Sequence, residues 1–225
     1  MGSVLMIRCI AFIGAVLSVV SLTLPAQAEW YAAAALGAVI PHNLTNNEGS
    51  GSLFGVPADG MKFTDISLTS GFAVDGKLGY FFQRTPWLGL EAEMLVSRPK
   101  AKAQTFSGES RLMFVEGTIT GGDARVIAPA LNVILRYPGK RLQPYIGGGP
   151  MLAFIKTFDD GGTSSEVGFN VLAGIRVLAT QRFGLFAEGK YMRAGYSSDH
   201  GLAPTLNIKG DYSASHILVG TSFHF

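Results

Sequence analysis

The stretch Gly71–Phe82, GFAVDGKLGYFF, alternates large apolar side chains with small or charged ones. A period of two residues is the pattern of a β-strand whose two faces meet different surroundings. Phe72 and Val74 fall on one face, whereas Asp75 and Lys77 fall on the other. This strand therefore has one face without charge and one face that carries all of its charge.

Seven further segments show the same alternation. With the first, they lie at 29–40, 70–82, 87–97, 125–137, 141–154, 166–179, 182–194 and 213–225. Short connections at 83–86, 138–140 and 180–181 alternate with long ones at 41–69, 98–124, 155–165 and 195–212. The alternation of short and long connections is typical of a transmembrane barrel. Lipid supplies no hydrogen-bond partners, so an alternating β chain can span it only as a closed barrel. We predict an all-β fold, an eight-stranded antiparallel up-and-down transmembrane β-barrel over residues 29–225.

Away from the ends of the predicted strands, the charges all fall on the face opposite the apolar one, which we assign to the lumen. They are Asp75, Lys77, Glu91, Glu93, Arg136, Arg176, Glu188 and Lys190. Four acids and four bases predict internal pairing, because an unpaired charge in a narrow lumen is costly. Eight strands enclose a lumen just wide enough for side chains to fill. This favours a packed interior, with a narrow channel for small solutes as the alternative.

The turn at 83–86 sets the register of strands two and three. Folding the chain about its middle brings Lys77 opposite Ala92, between the lumen-facing Glu91 and Glu93. Neighbours on one face of a strand pair are within reach of a long side chain. We therefore predict that Lys77 is the central cation of a cluster with both glutamates, and that Arg136 is the second cation.

Substitutions along strand eight should differ with the face on which they fall. Val219 is assigned to lipid and Gly220 to the lumen. A charge in lipid is costly near the membrane midplane. The sequence therefore predicts that Val219→Arg costs much more stability than Gly220→Ser.

Proline interrupts two of the predicted strands, at Pro129 in strand four and at Pro144 and Pro150 in strand five. Proline cannot donate a hydrogen bond to a neighbouring strand, and a closed barrel has no free edge on which to place it. We expect a bulge or bend in strand five. The pattern leaves the strand ends near these prolines open.

Neither the composition nor the motifs of the chain indicate a catalytic activity or the binding of nucleic acid or phosphate. The formal net charge is only +2, and its basic residues form no run typical of a nucleic-acid footprint. Glycines 147–149 lack the Lys-Ser/Thr of a phosphate-binding loop. Ser222, His224 and Glu188 could be assembled into the triad of a lipid-modifying hydrolase. This is the weaker alternative, because such an enzyme would meet its lipid at the long-loop end, whereas Ser222 and His224 lie at the opposite end of strand eight. We expect no enzyme activity, no metal, no cofactor and no nucleic-acid partner.

Three segments together resemble a known family: QPYIGGG at 143–149, PWLGLEAE at 86–93 and the terminal FHF at 223–225. They resemble the small eight-stranded outer-membrane β-barrel proteins of Gram-negative bacteria, the OmpA/Opa-like transmembrane domain, over essentially all of 29–225. The resemblance implies a cell outer-membrane location, with both mature termini periplasmic and the long loops extracellular.

The resemblance also implies partners and a role. Outer-membrane lipid and lipopolysaccharide would surround the barrel, and the barrel-assembly machinery would read the C-terminal signal that Phe223 and Phe225 provide. The expected role is structural or surface-interacting, without the peptidoglycan-binding domain of longer members. Function would lie in the loops, whose apolar residues Leu53, Phe54, Phe63 and 112–115 indicate that they pack on themselves or extend the barrel. No ligand of the loops is named by their sequence.

The first 28 residues have the parts of a secretory signal peptide. Arg8 precedes an apolar run over 10–24, and the segment ends with Ala26 and Ala28 at A-x-A spacing. An N-terminal membrane anchor is the alternative, which the shortness of the run disfavours. Cleavage after Ala28 would remove Cys9, the single cysteine of the chain.

We predict that the mature N-terminus is Glu29, because the A-x-A end follows a charge-poor run of signal-peptide length. N-terminal sequencing of protein extracted from the cell envelope measures this directly. A sequence that starts at Met1 would contradict the processing and the location that it implies.

Overall fold

The computed structural model describes residues 29–42, 45–53, 56–57, 61–64, 67–109, 114–119, 121–156, 163–198 and 206–225. The predicted signal peptide, with Ala26 and Ala28, lies outside these residues, as do Phe54 and the first two residues of 112–115. Within the described part of the chain, no helix is long and apolar enough to cross a membrane.

Eight long strands form the barrel. They are β1 Glu29–Pro41, β2 Leu68–Phe81, β3 Leu88–Ala101, β4 Arg125–Arg136, β5 Leu142–Lys156, β6 Thr163–Leu178, β7 Phe183–Ser198 and β8 Leu206–His224. Each strand pairs antiparallel with the next, and β1 pairs with β8 from Tyr31↔His224 to Pro41↔Ala214. This last pairing closes the sheet, so the predicted fold is confirmed.

The barrel has two unlike ends. At the short-turn end, which also holds Glu29 and Phe225, every strand boundary lies within one residue of its predicted position. At the opposite, long-loop end, most strands run on beyond the prediction, and β8 begins at Leu206 instead of residue 213. The sequence underestimates these extensions because beyond the membrane the outer face no longer needs to be apolar.

Short strands extend the barrel wall beyond the long-loop end. They are Thr45–Leu53, Val56–Pro57, Met61–Phe63, Gln104–Glu109, Phe114–Ile119 and Gly122–Asp123. The first pairs with the start of β8, and Met61–Phe63 then connects it to the hairpin formed by Gln104–Glu109 and Phe114–Ile119. The expectation that the first two loops extend the barrel is confirmed for these residues, which include Leu53 and Phe63.

Side-chain burial alternates along the barrel strands as the sequence predicts. Lumen-facing charges such as Asp75 and Lys190 are buried, whereas outward residues such as Leu131 and Val167 are 67% and 72% exposed. In an aqueous protein an apolar surface of this extent would be unfavourable. Facing lipid, it is the surface that the environment requires.

The lumen is filled by two apolar clusters. The long-loop cluster is the larger one and contains Val39, Leu95, Val126, Ile155, Met192 and Leu218, among others. The short-turn cluster consists of Tyr31, Phe81, Ile134, Tyr145 and Leu172. A cavity of about 10 Å³ lies beside Met151 and Met192, which is room for about one water molecule. The buried charges of β2, β3 and β7 lie between these two clusters along the strands, whereas Arg136 and Arg176 lie at the short-turn end.

The prolines produce no bulge, so the prediction of one in β5 is wrong. Arg125 pairs with Lys156 and Arg136 with Tyr145, which leaves the same register between β4 and β5 on both sides of Pro129 and Pro150. On its other side, β5 pairs with β6 without a register shift through both of its prolines. The rings of Pro144 and Pro150 point outward. Each proline removes one backbone N–H donor from the strand, but neither displaces the side chains that fill the lumen. The amide of Asn170 donates to the Gly149 carbonyl at 3.2 Å, which supplies a hydrogen bond beside Pro150.

The low stability cost that the sequence predicts for Gly220→Ser does not agree with the structure around Gly220. A β-carbon there would lie 2.2 Å from the Ala34 carbonyl oxygen, so serine at this position forces the backbones of β8 and β1 apart. The comparison of Val219→Arg with Gly220→Ser therefore cannot separate the two faces, because both substitutions are costly for different reasons.

We predict instead that Val219→Arg destabilises the folded barrel by about 2–4 kcal/mol, whereas Val219→Leu changes its stability by less than about 0.5 kcal/mol. Val219 is 60% exposed on the outward face of β8, where arginine would enter lipid. Equilibrium unfolding by urea from lipid vesicles measures both changes. Equal values for the two variants would show that Val219 does not face lipid.

Candidate functional site

Six ionisable side chains meet in the middle of the lumen and form what we term the central charge cluster. They are Asp75 and Lys77 of β2, Glu91 and Glu93 of β3, and Glu188 and Lys190 of β7. Each is buried, with no more than 6% of its surface exposed. Since β7 lies across the lumen from β2 and β3, the cluster ties opposite walls of the barrel together.

Lys77 is the central cation of this cluster. Its Nζ lies 2.7 Å from Glu188 Oε2, 3.4 Å from Glu91 Oε1 and 4.0 Å from Glu93 Oε1. The predicted contacts with Glu91 and Glu93 are therefore present. The shortest contact, with Glu188, crosses the lumen and was not predicted.

The second cation is Lys190, so the prediction of Arg136 in this position is wrong. Lys190 forms an ion pair with Glu93 and lies 3.6 Å from Glu188 and 3.7 Å from Asp75. Arg136 lies instead at the short-turn end of β4, away from the cluster. The sequence could not place it because the long connection over 98–124 leaves the register of β3 and β4 open.

The register of the first hairpin differs from the prediction by one residue. Lys77 pairs directly with Glu93, and Ala92 pairs with Leu78. The turn extends from Phe82 to Leu88, where Phe82 N donates to Leu88 O. It therefore includes residue 87, which the predicted turn at 83–86 leaves out. Residues directly opposite each other in a strand pair share a face, so the pairing of Lys77 with Glu93 is the one that the assigned faces require. Glu91 lies one step along the same face, and the Lys77 side chain reaches both glutamates.

Neutral donors complete the cluster. Tyr31 Oη donates to Glu91 at 2.5 Å and Tyr145 Oη donates to Glu188 at 2.9 Å. The amide of Asn132 donates to Glu93 at 2.6 Å and to Glu91 at 3.3 Å. Hydrogen bonds to a carboxylate stabilise its charged form. Closure of the barrel brings these side chains, which come from β1, β4 and β5, to the carboxylates.

The central charge cluster holds four carboxyl groups but only two ammonium groups. Asp75, Glu93 and Glu188 each place an oxygen within 4.8 Å of the others, which is the spacing of a metal site. Both Lys77 and Lys190 lie within 4.0 Å of all three of these carboxylates. The chain's own ammonium groups therefore supply the positive charge between them.

Arg136 and Arg176 lie outside the cluster, so the predicted eight-residue network is divided. Arg136 forms an ion pair with Glu29, donates to the Pro86 carbonyl at 2.9 Å and lies over the ring of Phe81 at 3.6 Å. The guanidinium of Arg176 lies 4.4 Å from the Tyr31 ring. These contacts close the lumen at the short-turn end.

The residues considered for a hydrolase triad, which the sequence supported only as the weaker alternative, do not all meet. His224 Nδ1 lies 2.8 Å from Glu29, and its Nε2 lies 3.2 Å from Ser222 Oγ, while Glu188 contacts Lys77. Ser222 is 1% exposed, and its hydroxyl is packed against the backbone of Gly184. Glu188, the acid considered for the triad, pairs with Lys77 and therefore does not reach His224.

Comparison with known proteins gives one family. The sequence model of the family described as "Outer membrane protein beta-barrel domain" matches residues 14–225. The structure is similar to the outer membrane protein OprG from Pseudomonas aeruginosa, with 15% identity over 88% of this chain and 95% of that one, and a TM-score of 0.58. It is also similar to Neisserial surface protein A, with 18% identity, coverage of 88% and 99%, and a TM-score of 0.52. No curated protein matches the chain in sequence.

We predict that Lys77→Met destabilises the barrel by about 3–5 kcal/mol, because it leaves buried carboxylates without their central cation. The double variant Lys77→Met/Glu188→Gln should lose less, since the uncompensated charge at Glu188 is then removed as well. Arg193→Gln is the matched control: its ion pair with Asp211 is exposed and should contribute less than about 1 kcal/mol.

Urea unfolding from phosphatidylcholine vesicles measures the three variants side by side. A Lys77→Met cost as small as that of Arg193→Gln would mean that the central charge cluster does not hold the two walls of the barrel together.

Proposed function

Because this chain belongs to the outer membrane protein β-barrel domain family, we propose that it is a closed barrel that acts as a rigid support for its long loops and conducts no solute. The role is structural or surface-interacting, at the cell outer membrane. The observation that carries the proposal is the filling of the lumen, where the central charge cluster lies between two apolar clusters.

The filling is stabilised from several strands. Contacts of Lys77 and Lys190 connect β2, β3 and β7 across the middle of the lumen. At the short-turn end, the ion pair between Glu29 and Arg136 connects β1 to β4. An open channel would require the buried ion pairs of Lys77 and Lys190 to separate, and a buried charge without its partner is costly.

His224 contacts both Ser222 and a carboxylate, that of Glu29, but the burial of the serine argues against a catalytic role. The Ser222 hydroxyl is buried, and Glu188, the acid assigned to the triad from sequence, is engaged by Lys77. The absence of enzyme activity is therefore part of the proposal.

The orientation in the membrane follows the rule for bacterial barrels, with short turns in the periplasm and long loops outside. We place both mature termini in the periplasm on this basis. Phe223 and Phe225 are stacked at 6.2 Å on the outward face of β8, where an assembly factor in the periplasm could reach them before insertion. Recognition of this pair by the barrel-assembly machinery is part of the proposal.

The surface offered to external partners is the sheet that continues the barrel wall. It begins at Leu206 of β8 and runs through the short strands of the first two loops. Its backbone pairing fixes these loops to the barrel, so a partner would meet a preformed surface. Outer-membrane lipid and lipopolysaccharide surround the barrel below this sheet.

We predict that the purified, folded protein produces no discrete conductance steps in planar lipid bilayers. A sixteen-stranded porin, whose lumen is open to water, is the positive control under the same salt and voltage. Flotation of the same preparation with vesicles verifies that the protein has inserted. Steps whose frequency rises with the amount of inserted protein would contradict the closed lumen and favour the narrow channel.

A further inference from the structure

Three positively charged side chains lie in a row across neighbouring strands at the long-loop end. Arg125 of β4 pairs directly with Lys156 of β5. On its other side, the pairs Val126↔Ser97 and Lys100↔Asp123 place Arg125 opposite Arg98 of β3. Residues that face each other in this way have their β-carbons about 5 Å apart. We term Arg98, Arg125 and Lys156 the basic row.

The basic row faces outward at the edge of the apolar surface. All three side chains are exposed and share the face that carries Met94, Leu131 and Phe154 further down the same strands. Arg98 pairs with Phe72 of β2 and lies 5.5 Å from its ring. Cations at this height would meet the headgroups and not the acyl chains of the surrounding lipid.

None of the three side chains of the basic row forms an ion pair within the described residues, and like charges directly opposite each other in a sheet are destabilising. The acid on the same face two residues from Arg125, Asp123, lies directly opposite Lys100 and not opposite a member of the basic row. Arg193, another exposed cation near the long-loop end, lies 3.0 Å from Asp211. The basic row differs from Arg193 in lacking such an ion pair, so an anion from outside the chain would fit it.

We propose that the basic row is a binding site for the phosphate groups of lipid A, the membrane anchor of lipopolysaccharide, in the outer leaflet. Two guanidinium groups side by side can each form bidentate hydrogen bonds to phosphate, and Lys156 adds a point charge. The assignment rests on the proposed orientation, since it requires the long-loop end to face outward. The bound phosphate groups then offset the repulsion among the three cations of the basic row.

The test compares two triple variants of the folded full-length protein in neutral detergent. Arg98→Gln/Arg125→Gln/Lys156→Gln removes the basic row. Arg84→Gln/Lys140→Gln/Arg182→Gln removes three exposed cations from the short-turn end and is the matched control. Native mass spectrometry measures the binding of bisphosphorylated lipid A, dephosphorylated lipid A, phosphatidylglycerol and inorganic phosphate.

We expect the basic-row variant to bind bisphosphorylated lipid A at least about tenfold more weakly than the wild type, since each cation near an anionic lipid surface contributes about fivefold. The control should change by less than about twofold, and dephosphorylated lipid A should bind both proteins equally. In phosphatidylcholine, the basic-row variant should be as stable as the wild type or more so, because it has lost like-charge neighbours.

Equal weakening in both triple variants, or none in either, would overturn the proposal. Binding of inorganic phosphate or phosphatidylglycerol as tightly as lipid A would overturn the choice of lipid A. The orientation is tested separately with Lys156→Cys and Lys140→Cys, labelled on intact cells by a maleimide that does not cross membranes. Labelling at position 140 instead of 156 would overturn the orientation in the proposed function, while the binding measured in detergent would still stand.

Discussion

The backbone hydrogen bonds of the strands impose the constraint on which the rest of the structure depends. Lipid cannot bond to a free N–H or C=O group, so each strand in the membrane needs a partner on both sides. Pairing of β1 with β8 from Tyr31↔His224 to Pro41↔Ala214 removes the last free edge. Pro129 and Pro150 are tolerated because each lacks only one donor and the register between β4 and β5 is kept.

Closure at eight strands then decides what happens inside. A lumen of this width must be filled by side chains, and the barrel fills it with two apolar clusters and a set of charges between them. Buried charges are stable only with partners and additional hydrogen bonds. Tyr31, Tyr145 and Asn132 supply these bonds to the carboxylates that Lys77 and Lys190 contact. Within the central charge cluster the carboxyl groups outnumber the ammonium groups. Arg136 and Arg176 do not correct this difference, because they lie at the short-turn end.

The outer face of the barrel has the opposite distribution of charge. Its middle carries no charge, and cations appear only at its edge, where the basic row and Arg193 lie. Arg193 has Asp211 as a partner, whereas Arg98, Arg125 and Lys156 come from strands far apart in sequence and share none within the described residues. Their proximity is a consequence of the sheet, because nothing in the spacing of these residues along the chain sets them apart from other basic residues.

Alternation along each strand is a local property, and it was enough to predict the eight strands, their ends at the short turns, and which charged side chains enter the lumen. Lys77 was predicted beside Glu91 and Glu93 because one short turn joins their strands, although the pairing with Glu93 shifted by one residue. Contacts across the lumen could not be obtained in this way. The meeting of Lys77 with Glu188, of Glu93 with Lys190 and of Arg136 with Glu29 depends on the stagger of all eight strands at closure. That stagger is the sum of every register around the barrel, including those across long loops, and only the tertiary structure decides it.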